Sequence, residues 1–222
     1  MTEQATDPTA EQGEHEGHEH GGQVAVVPAA PATPPAPAAP RRTIVLVDGE
    51  NIDATLGNSL LNRRPTPEER PRWERVTTYA EKLWDQPVTG LFFLNASHGT
   101  LPSAFVQALL ALGYRPVPLS GRSDQKVVDV GIQRTLQALV GHQADVLLVS
   151  HDGDFVEDLR PLVTEEGRRV AVLALREYAS SGFTALGVPI HDLEEDVRAF
   201  NVPLPRVRII SLDDFDPEVF LR

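Results

Sequence analysis

The sequence contains no cysteine. The protein therefore has no disulfide bonds, no thiolate metal ligand and no cysteine nucleophile. No apolar run approaches the ~18 residues that a membrane-spanning helix needs, so we expect no membrane partner. The N-terminus also lacks the basic segment and short apolar segment of a secretory signal. Together these absences predict a cytoplasmic protein.

Basic residues are scarce relative to acidic ones: 20 Lys and Arg against 32 Asp and Glu give a net charge of −12. Such a balance disfavours sequence-independent binding of nucleic acid. Six of the acids lie in residues 1–40, which contain no Lys or Arg, so residues 41–222 carry −12 + 6 = −6. This remaining negative charge is compatible with acids concentrated at a cation site.

The composition divides the chain into three parts. Residues 1–40 are acidic and His-bearing at first and then rich in Pro and Ala. They hold too few apolar side chains to offset the entropy of ordering, so we predict a disordered tail. Residues 41–200 are predicted to form one α/β domain. Residues 201–222 are a C-terminal extension with two open interpretations: an edge strand followed by a short helix, or a tail that docks on a partner.

Within the predicted domain, buried strands alternate with amphipathic helices. The predicted strands are Thr43–Val47, Val88–Leu94, Tyr114–Leu119, Asp145–Ser150, Arg169–Leu175 and Val188–His191. The predicted helices are Leu56–Asn62, Glu68–Trp84, Pro102–Leu112, Ser123–Val140, Asp154–Glu166 and Ser180–Leu186. This alternation predicts an α/β fold, a three-layer α/β/α sandwich with a mostly parallel central sheet. The third strand is expected near an edge, because its two prolines cannot donate to a neighbour.

Acidic residues follow two of the buried strands. Asp48 ends the first strand, and Asp152 and Asp154 follow the strand that ends at Ser150. The carboxyl ends of parallel strands border a common crevice, where ligands of such sheets bind. Asp129 lies near the start of a helix whose apolar stripe faces the sheet. These four acids are therefore expected to converge.

Several carboxylates in one place repel each other unless a cation neutralises them. Oxygen ligands without cysteine suit Mg²⁺ or Mn²⁺. Such a metal activates water for in-line displacement at phosphorus, which is the chemistry of a phosphodiesterase. Each acid alone is better explained as a helix cap, a turn residue or a solvated position. Their combination favours a metal site.

Three motifs resemble those of the NYN family (LabA-like and YacP-type proteins) of the PIN-like nuclease superfamily. They are Val47-Asp48-Gly49-Glu50-Asn51, Lys126-Val127-Val128-Asp129-Val130 and Ser150-His151-Asp152-Gly153-Asp154-Phe155. The resemblance covers roughly residues 43–193. It implies a PIN-like fold and a ribonuclease that depends on Mg²⁺ or Mn²⁺. The catalytic, metal-coordinating acids would be Asp48, Asp129, Asp152 and Asp154.

The same resemblance implies that Asn51 and Lys126 bind the substrate. Arg122, near the predicted metal in the sequence, and Ser150 complete the predicted set of substrate-binding residues. Asn51 would orient a ligand near the first acid, and Lys126 would lie close to the substrate phosphate. Two positions depart from the family pattern. Gln133 stands where members often carry another acid, which would weaken a second metal position. His151 stands where members often carry a small residue, and we interpret it as a polar turn residue rather than a partner of the leaving group.

We expect an RNA partner, single-stranded or structured, and allow for a homo-oligomer. The segment from Asn62 to Arg75 is the densest in basic residues and includes Trp73. It would contact RNA, or form a solvated helix face with the indole buried. The leading hypothesis is a metal-dependent endoribonuclease. The alternative is a catalytically weak or inactive RNA-binding or regulatory module. A haloacid-dehalogenase-like phosphatase is disfavoured, because its second Asp is replaced here by Glu50.

Overall fold

Six parallel strands form the centre of the molecule. The computed structural model describes residues 41–99, 101–122, 124–207 and 210–221, and the predicted tail at residues 1–40 lies outside them. The strands are β1 (Arg42–Asp48), β2 (Val88–Asn95), β3 (Arg115–Leu119), β4 (Ala144–Val149), β5 (Val170–Ala174) and β6 (Ile190–Asp192). Their order is β3-β2-β1-β4-β5-β6 and every adjacent pair is parallel. The predicted α/β fold with a parallel sheet is confirmed.

The order of the strands creates a switch point between β1 and β4. From β1 the chain builds the sheet outward through β2 and β3, then returns to pair β4 on the other side of β1. Val47 of β1 is in register with Val149 of β4, so the two strands end side by side. Open parallel sheets bind ligands at such a switch point, beyond the carboxyl ends of the strands. The acids that follow β1 and β4 border this crevice.

Helices cover both faces of the sheet. On one face lie α1 (Gly49–Ala54), α2 (Trp73–Trp84) and α3 (Ser103–Ala111), and on the other lie α4 (Val127–Leu139), α5 (Val156–Thr164) and α6 (Ser181–Ala185). Successive side chains of a strand point to opposite faces. In β1, accordingly, Val45 and Val47 pack against the first group while Leu46 packs against the second. The layers are those of the predicted sandwich.

Two of the predicted helices differ in the structure. The helix predicted over Glu68–Trp84 is interrupted: a 3₁₀ turn covers Pro67–Glu69, and α2 begins at Trp73. Pro71 explains the break, because it lacks an N–H group and restricts the residue before it. The segment predicted as helix Leu56–Asn62 is a π-helix, Thr55–Leu61, which continues directly from α1.

The predicted edge position of β3 is confirmed, and β6 forms the opposite edge. In the described part of the C-terminal extension no strand extends the sheet beyond β6; 3₁₀ turns occur at Leu212–Asp214 and Pro217–Phe220.

Across the described residues, no helix combines the length and apolar character that crossing a bilayer requires.

Arg206 attaches the C-terminal extension to the end of β6. Its side chain is 2% exposed and donates to both carboxylate oxygens of Asp192, at 2.7 and 2.6 Å. It also donates to Glu177 and, at 3.1 Å, to Glu194. Burial raises the pKa of Asp192, but the hydrogen bonds and charge of Arg206, together with the backbone N–H groups of Arg176 and Glu195, lower it by more, so this pKa lies below its usual range. We call these four residues the C-terminal clasp.

Candidate metal centre

Asp48 is a buried acid at the junction of β1 and α1. Its Oδ1 caps α1 by accepting a hydrogen bond from the backbone N–H of Asn51 at 3.1 Å, and its Oδ2 accepts from the Ser150 hydroxyl at 3.1 Å. The residue is 2% exposed. Burial raises its pKa, the two hydrogen bonds lower it, and the charges of Asp129 and Asp152 raise it further, to about 6. Asp48 is thus about half-protonated near pH 6 and mostly ionised at pH 7.

The other three predicted acids converge. One carboxylate oxygen from each of Asp129, Asp152 and Asp154 lies within 4.8 Å of the other two. Asp152 and Asp154 are joined by the 3₁₀ turn after β4, in which Asp152 Oδ1 accepts from the N–H of Asp154 at 2.9 Å. Asp129 comes from the first turn of α4. Within the described residues this group does not include Asp48, which lies beside it. The charges of Asp129 and Asp152 contribute to the raised pKa of Asp48.

Gly131 allows α4 to bring Asp129 this close to the sheet. A Cβ atom at this position would lie 2.2 Å from Cδ1 of Leu119 and 3.2 Å from the ring of Phe93. A side chain here would therefore displace Leu119 or push the first half of α4 away from the strands. In the second case Asp129, two residues earlier on the same helix, would move with it. Glycine at this position allows the close approach without either change.

The donor set fits a hard divalent cation. The group of three offers carboxylate oxygens and neither sulfur nor imidazole, and such ligands select Mg²⁺ or Mn²⁺ over softer metals. Burial is the main cause of the raised pKa of Asp48, and the negative charges of Asp129 and Asp152 add to it. A divalent cation would reduce this repulsion. The predicted cofactor class is therefore compatible with the residues that the fold assembles.

Lys126 contacts two of the three acids. Its ammonium lies 3.3 Å from Asp129 Oδ2 and 3.2 Å from Asp154 Oδ2. These hydrogen bonds, the one to Asp154 first, raise its pKa above the usual range. Gln133 is also at the cluster, with its Nε2 atom 3.5 Å from the carbonyl oxygen of Asp154. The position where the family often has an acid thus offers an amide here.

His151 is a buried structural group, and our interpretation of it as a polar turn residue was incomplete. It is 6% exposed, and burial lowers its pKa to about 4. The backbone N–H of Leu175 donates to Nε2 at 2.9 Å, so the proton of the neutral ring is on Nδ1. Nδ1 then donates to the Asn51 oxygen at 2.9 Å. The only sequence signal for this role was the position of His151, directly beyond the buried strand.

Asn51 is held through its carbonyl group. Its Oδ1 atom accepts from both the backbone N–H and the imidazole of His151, at 2.8 and 2.9 Å. With this oxygen occupied by two donors, the amide N–H groups are the part of the side chain left for a ligand. Asn51 is therefore suited to donate to a phosphate oxygen rather than to coordinate a metal.

The remaining predicted substrate residues lie in different surroundings. The Ser150 hydroxyl is fully buried, donates to Asp48 and accepts from the N–H of Asp152 at 3.2 Å, so it links two acids. These contacts let Ser150 position the two acids, and its predicted role in substrate binding stays a prediction. Arg122 is exposed, and its Nε atom lies 3.3 Å from Asp124 in a surface ion pair. The structure does not bring Arg122 into contact with the acids.

The basic segment before α2 is used mainly for internal contacts. Trp73 is 8% exposed and packs edge-on against Phe92, with ring centroids 5.0 Å apart. The indole therefore belongs to the core and does not offer a face for base stacking. Arg70 is paired with Asp53 at 2.8 Å. Arg64 and Arg70 nevertheless line a cleft of about 550 Å³ that begins at Gly49, next to Asp48; the segment borders the crevice.

Comparison with known proteins agrees with this architecture. The model of the NYN domain family matches residues 42–186, a range that contains every predicted site residue. The chain belongs to the NYN family. Membership indicates a nuclease-like, RNA-related function, and the LabA-like or YacP-type subgroup stays a prediction. This NYN protein therefore carries its acidic cluster within the family domain.

Among solved structures, one similar to this NYN protein is a protein of unknown function, VPA0982 from Vibrio parahaemolyticus. It shares 18% sequence identity with a TM-score of 0.57, and the match covers 72% of this chain and 98% of that one. At this identity the likeness concerns the fold alone. The search of curated proteins gave no match.

Proposed function

We propose that this NYN protein is a metal-dependent ribonuclease that hydrolyses RNA phosphodiester bonds. The observation that carries the proposal is the convergence of Asp129, Asp152 and Asp154 within 4.8 Å, next to the buried Asp48. When bound there, Mg²⁺ or Mn²⁺ would lower the pKa of a coordinated water and neutralise charge on the phosphate. RNA as the substrate is favoured by membership of the family.

In the proposed reaction, the surrounding residues would each have a separate role. The three clustered acids would hold the metal. Asp48, which is mostly ionised at pH 7 even without metal, would accept a proton from an attacking water. Ser150 fixes the orientation of its carboxylate. Asn51, held by His151, would donate an amide N–H to a phosphate oxygen.

Asp152→Asn and Asp48→Asn test this proposal. Each variant should lower Mn²⁺-dependent cleavage of a fluorescent single-stranded RNA by at least ~100-fold, because one removes a ligand and the other a proton acceptor. Glu157→Gln, in the exposed pair with Arg160 on α5, is the matched control and should cleave like the parent. Circular dichroism checks that all three fold. Full cleavage by both Asp variants, or cleavage that persists in EDTA, would contradict the proposal.

The second candidate is a catalytically weak RNA-binding or regulatory module of the same fold. Gln133 favours it, since an amide occupies the place of a possible further acid. A titration with Mn²⁺, followed by the electron paramagnetic resonance signal of the free ion, separates the two functions. RNA binding without metal binding at millimolar Mn²⁺ would select the module. Gln133→Glu should increase both metal affinity and cleavage if the missing acid limits the enzyme.

A further inference from the structure

The cluster of acids already contains a cation, the ammonium of Lys126. It lies within 3.3 Å of both Asp129 and Asp154, so one point charge bridges an acid from α4 and an acid from the turn after β4. The side chain is 69% exposed. Its stem is therefore not fixed by packing, and the ammonium can leave the two carboxylates by rotation alone.

A divalent ion and this ammonium would compete for the same carboxylates. A metal held by Asp129 and Asp154 must lie between them, where Lys126 now makes its two ion pairs. Two cations on the same pair of carboxylates repel each other strongly at such short range. The ammonium must therefore move away when the metal arrives.

We propose that Lys126 is an internal counter-ion that holds the acidic cluster together without metal and that the divalent cation displaces on binding. This inference rests on the metal site of the proposed function. Competition by Lys126 raises the apparent dissociation constant of the metal, so a higher metal concentration is needed to fill the site. The released ammonium then stands at the rim of the site, where a phosphate of the substrate would bind it.

The first test compares metal affinities. Lys126→Met removes the charge at similar length and should bind Mn²⁺ about fivefold more tightly than the parent, since exposed ion pairs are worth little individually. Lys126→Gln, a second neutral variant, should do the same. The matched control is Lys82→Met on α2, at the other face of the sheet, which should leave the affinity unchanged. Free Mn²⁺ is measured by electron paramagnetic resonance.

The second test observes the displacement itself. The chain has only two lysines, Lys82 and Lys126, so reductive methylation with ¹³C-formaldehyde labels two side chains and the terminal amine. Titration with diamagnetic Mg²⁺ should shift the Lys126 methyl signal towards that of an exposed lysine. The Lys82 signal should stay in place.

The outcomes distinguish this inference from the proposed function. Tighter Mn²⁺ binding by both neutral Lys126 variants, with a Mg²⁺-dependent shift of the Lys126 signal, supports displacement. Metal binding with equal affinity in all proteins and an unmoved Lys126 signal overturns the inference and leaves the metal site intact. No metal binding by the parent or by either Lys126 variant overturns both.

Discussion

Asp48 and His151 give the stability of the protein opposite dependences on pH. Burial raises the pKa of Asp48 to about 6 from an ordinary 3.8, so the folded protein binds this proton more tightly than the unfolded chain. Asp48 therefore destabilises the fold progressively as pH rises from about 4 to about 6, and this cost is constant at higher pH. Burial lowers the pKa of His151 to about 4 from 6.5, so its contribution is full above pH 6.5 and is lost as pH falls towards 4.

Asp48→Asn should stabilise the metal-free protein at pH 8. The shift of about two pKa units corresponds to an upper limit of about 3 kcal/mol in the free energy of unfolding, and the amide can keep hydrogen bonds to Asn51 and Ser150. The gain should shrink as pH falls from 6 to 4, where the parent carboxyl is protonated. Urea unfolding in EDTA at several pH values measures it. A gain that is constant with pH would show that desolvated charge is not its source.

His151→Gln is the counterpart and should destabilise the protein by about 2 kcal/mol at pH 7, through loss of the hydrogen bonds to Leu175 and Asn51. The difference in free energy of unfolding between the variant and the parent should become smaller as pH falls from 6.5 to 4. In this range the parent loses stability, because its buried imidazole stays unprotonated while the histidine of the unfolded chain takes up a proton. The same urea series provides the measurement. A deficit that widens in acid would contradict a neutral His151.

The acids of the site could be predicted at the level of single residues, whereas the role of His151 could not. Asp48 and Asp152 each follow an apolar run, and the geometry of parallel sheets places such residues together. His151 acquires its role from the side chain of Asn51 and the backbone of Leu175, which are 100 and 24 residues away in sequence. Their proximity follows from the pairing of β1, β4 and β5, which no local pattern specifies.

At the scale of elements, the C-terminal clasp explains why the extension adds no strand in its described part. Arg206 lies in a segment of strand-like sequence, yet its guanidinium binds Asp192 at the end of β6. The sequence leaves an edge strand and a docked tail open for the extension, because a pattern of apolar side chains does not indicate a buried ion pair between residues 14 positions apart. The break before α2, in contrast, has a local signal in Pro71, which the helical spacing of apolar residues on either side conceals.

Removing the guanidinium of the clasp should be costly. Arg206→Met leaves Asp192, which is 1% exposed, without its counter-charge, and should lower the free energy of unfolding by about 3 kcal/mol. Arg160→Met, in an exposed pair with Glu157, is the matched control and should change it by less than about 0.5 kcal/mol. Thermal unfolding at pH 7 compares the variants. Equal melting temperatures for Arg206→Met and the parent would refute the structural role of the clasp.

The loss in the free energy of unfolding that Arg206→Met causes should also depend on pH. The pKa of Asp192 is lowered in the folded protein, so its contribution is present above the ordinary pKa of an Asp and is lost as pH falls below about 4. Repeating the comparison at pH 3.5 should therefore show a smaller difference in the free energy of unfolding between the parent and Arg206→Met.

At the scale of the whole molecule, net charge opposes the proposed substrate. Half of the net charge of −12 belongs to residues 1–40, and negative charge repels an RNA backbone. Deleting these residues should strengthen RNA binding at about 50 mM salt by several-fold, with the difference lost near 0.5 M salt because of screening. Fluorescence anisotropy with Ca²⁺ in place of Mn²⁺ measures affinity.

A full-length variant with the six acids of residues 1–40 changed to amides is the matched control for this deletion. It should reproduce the gain in affinity, since charge rather than length is its cause. A gain in RNA affinity on deletion that the amide variant lacks would assign the effect to the segment itself.

The fold class and the parallel sheet were predictable at this scale from the alternation of elements. The order of the strands was not, because alternation does not say on which side of β1 the chain places β4.

The switch point between β1 and β4 has a consequence for biosynthesis. Asp48 is translated early, whereas Asp129, Asp152 and Asp154 follow only after β2 and β3 have been made. A growing chain that has reached β3 thus contains one acid of the four, and the cluster assembles only when β4 pairs with β1. Under the proposed function, the site that would cleave RNA is therefore incomplete until nearly the whole domain has emerged from the ribosome.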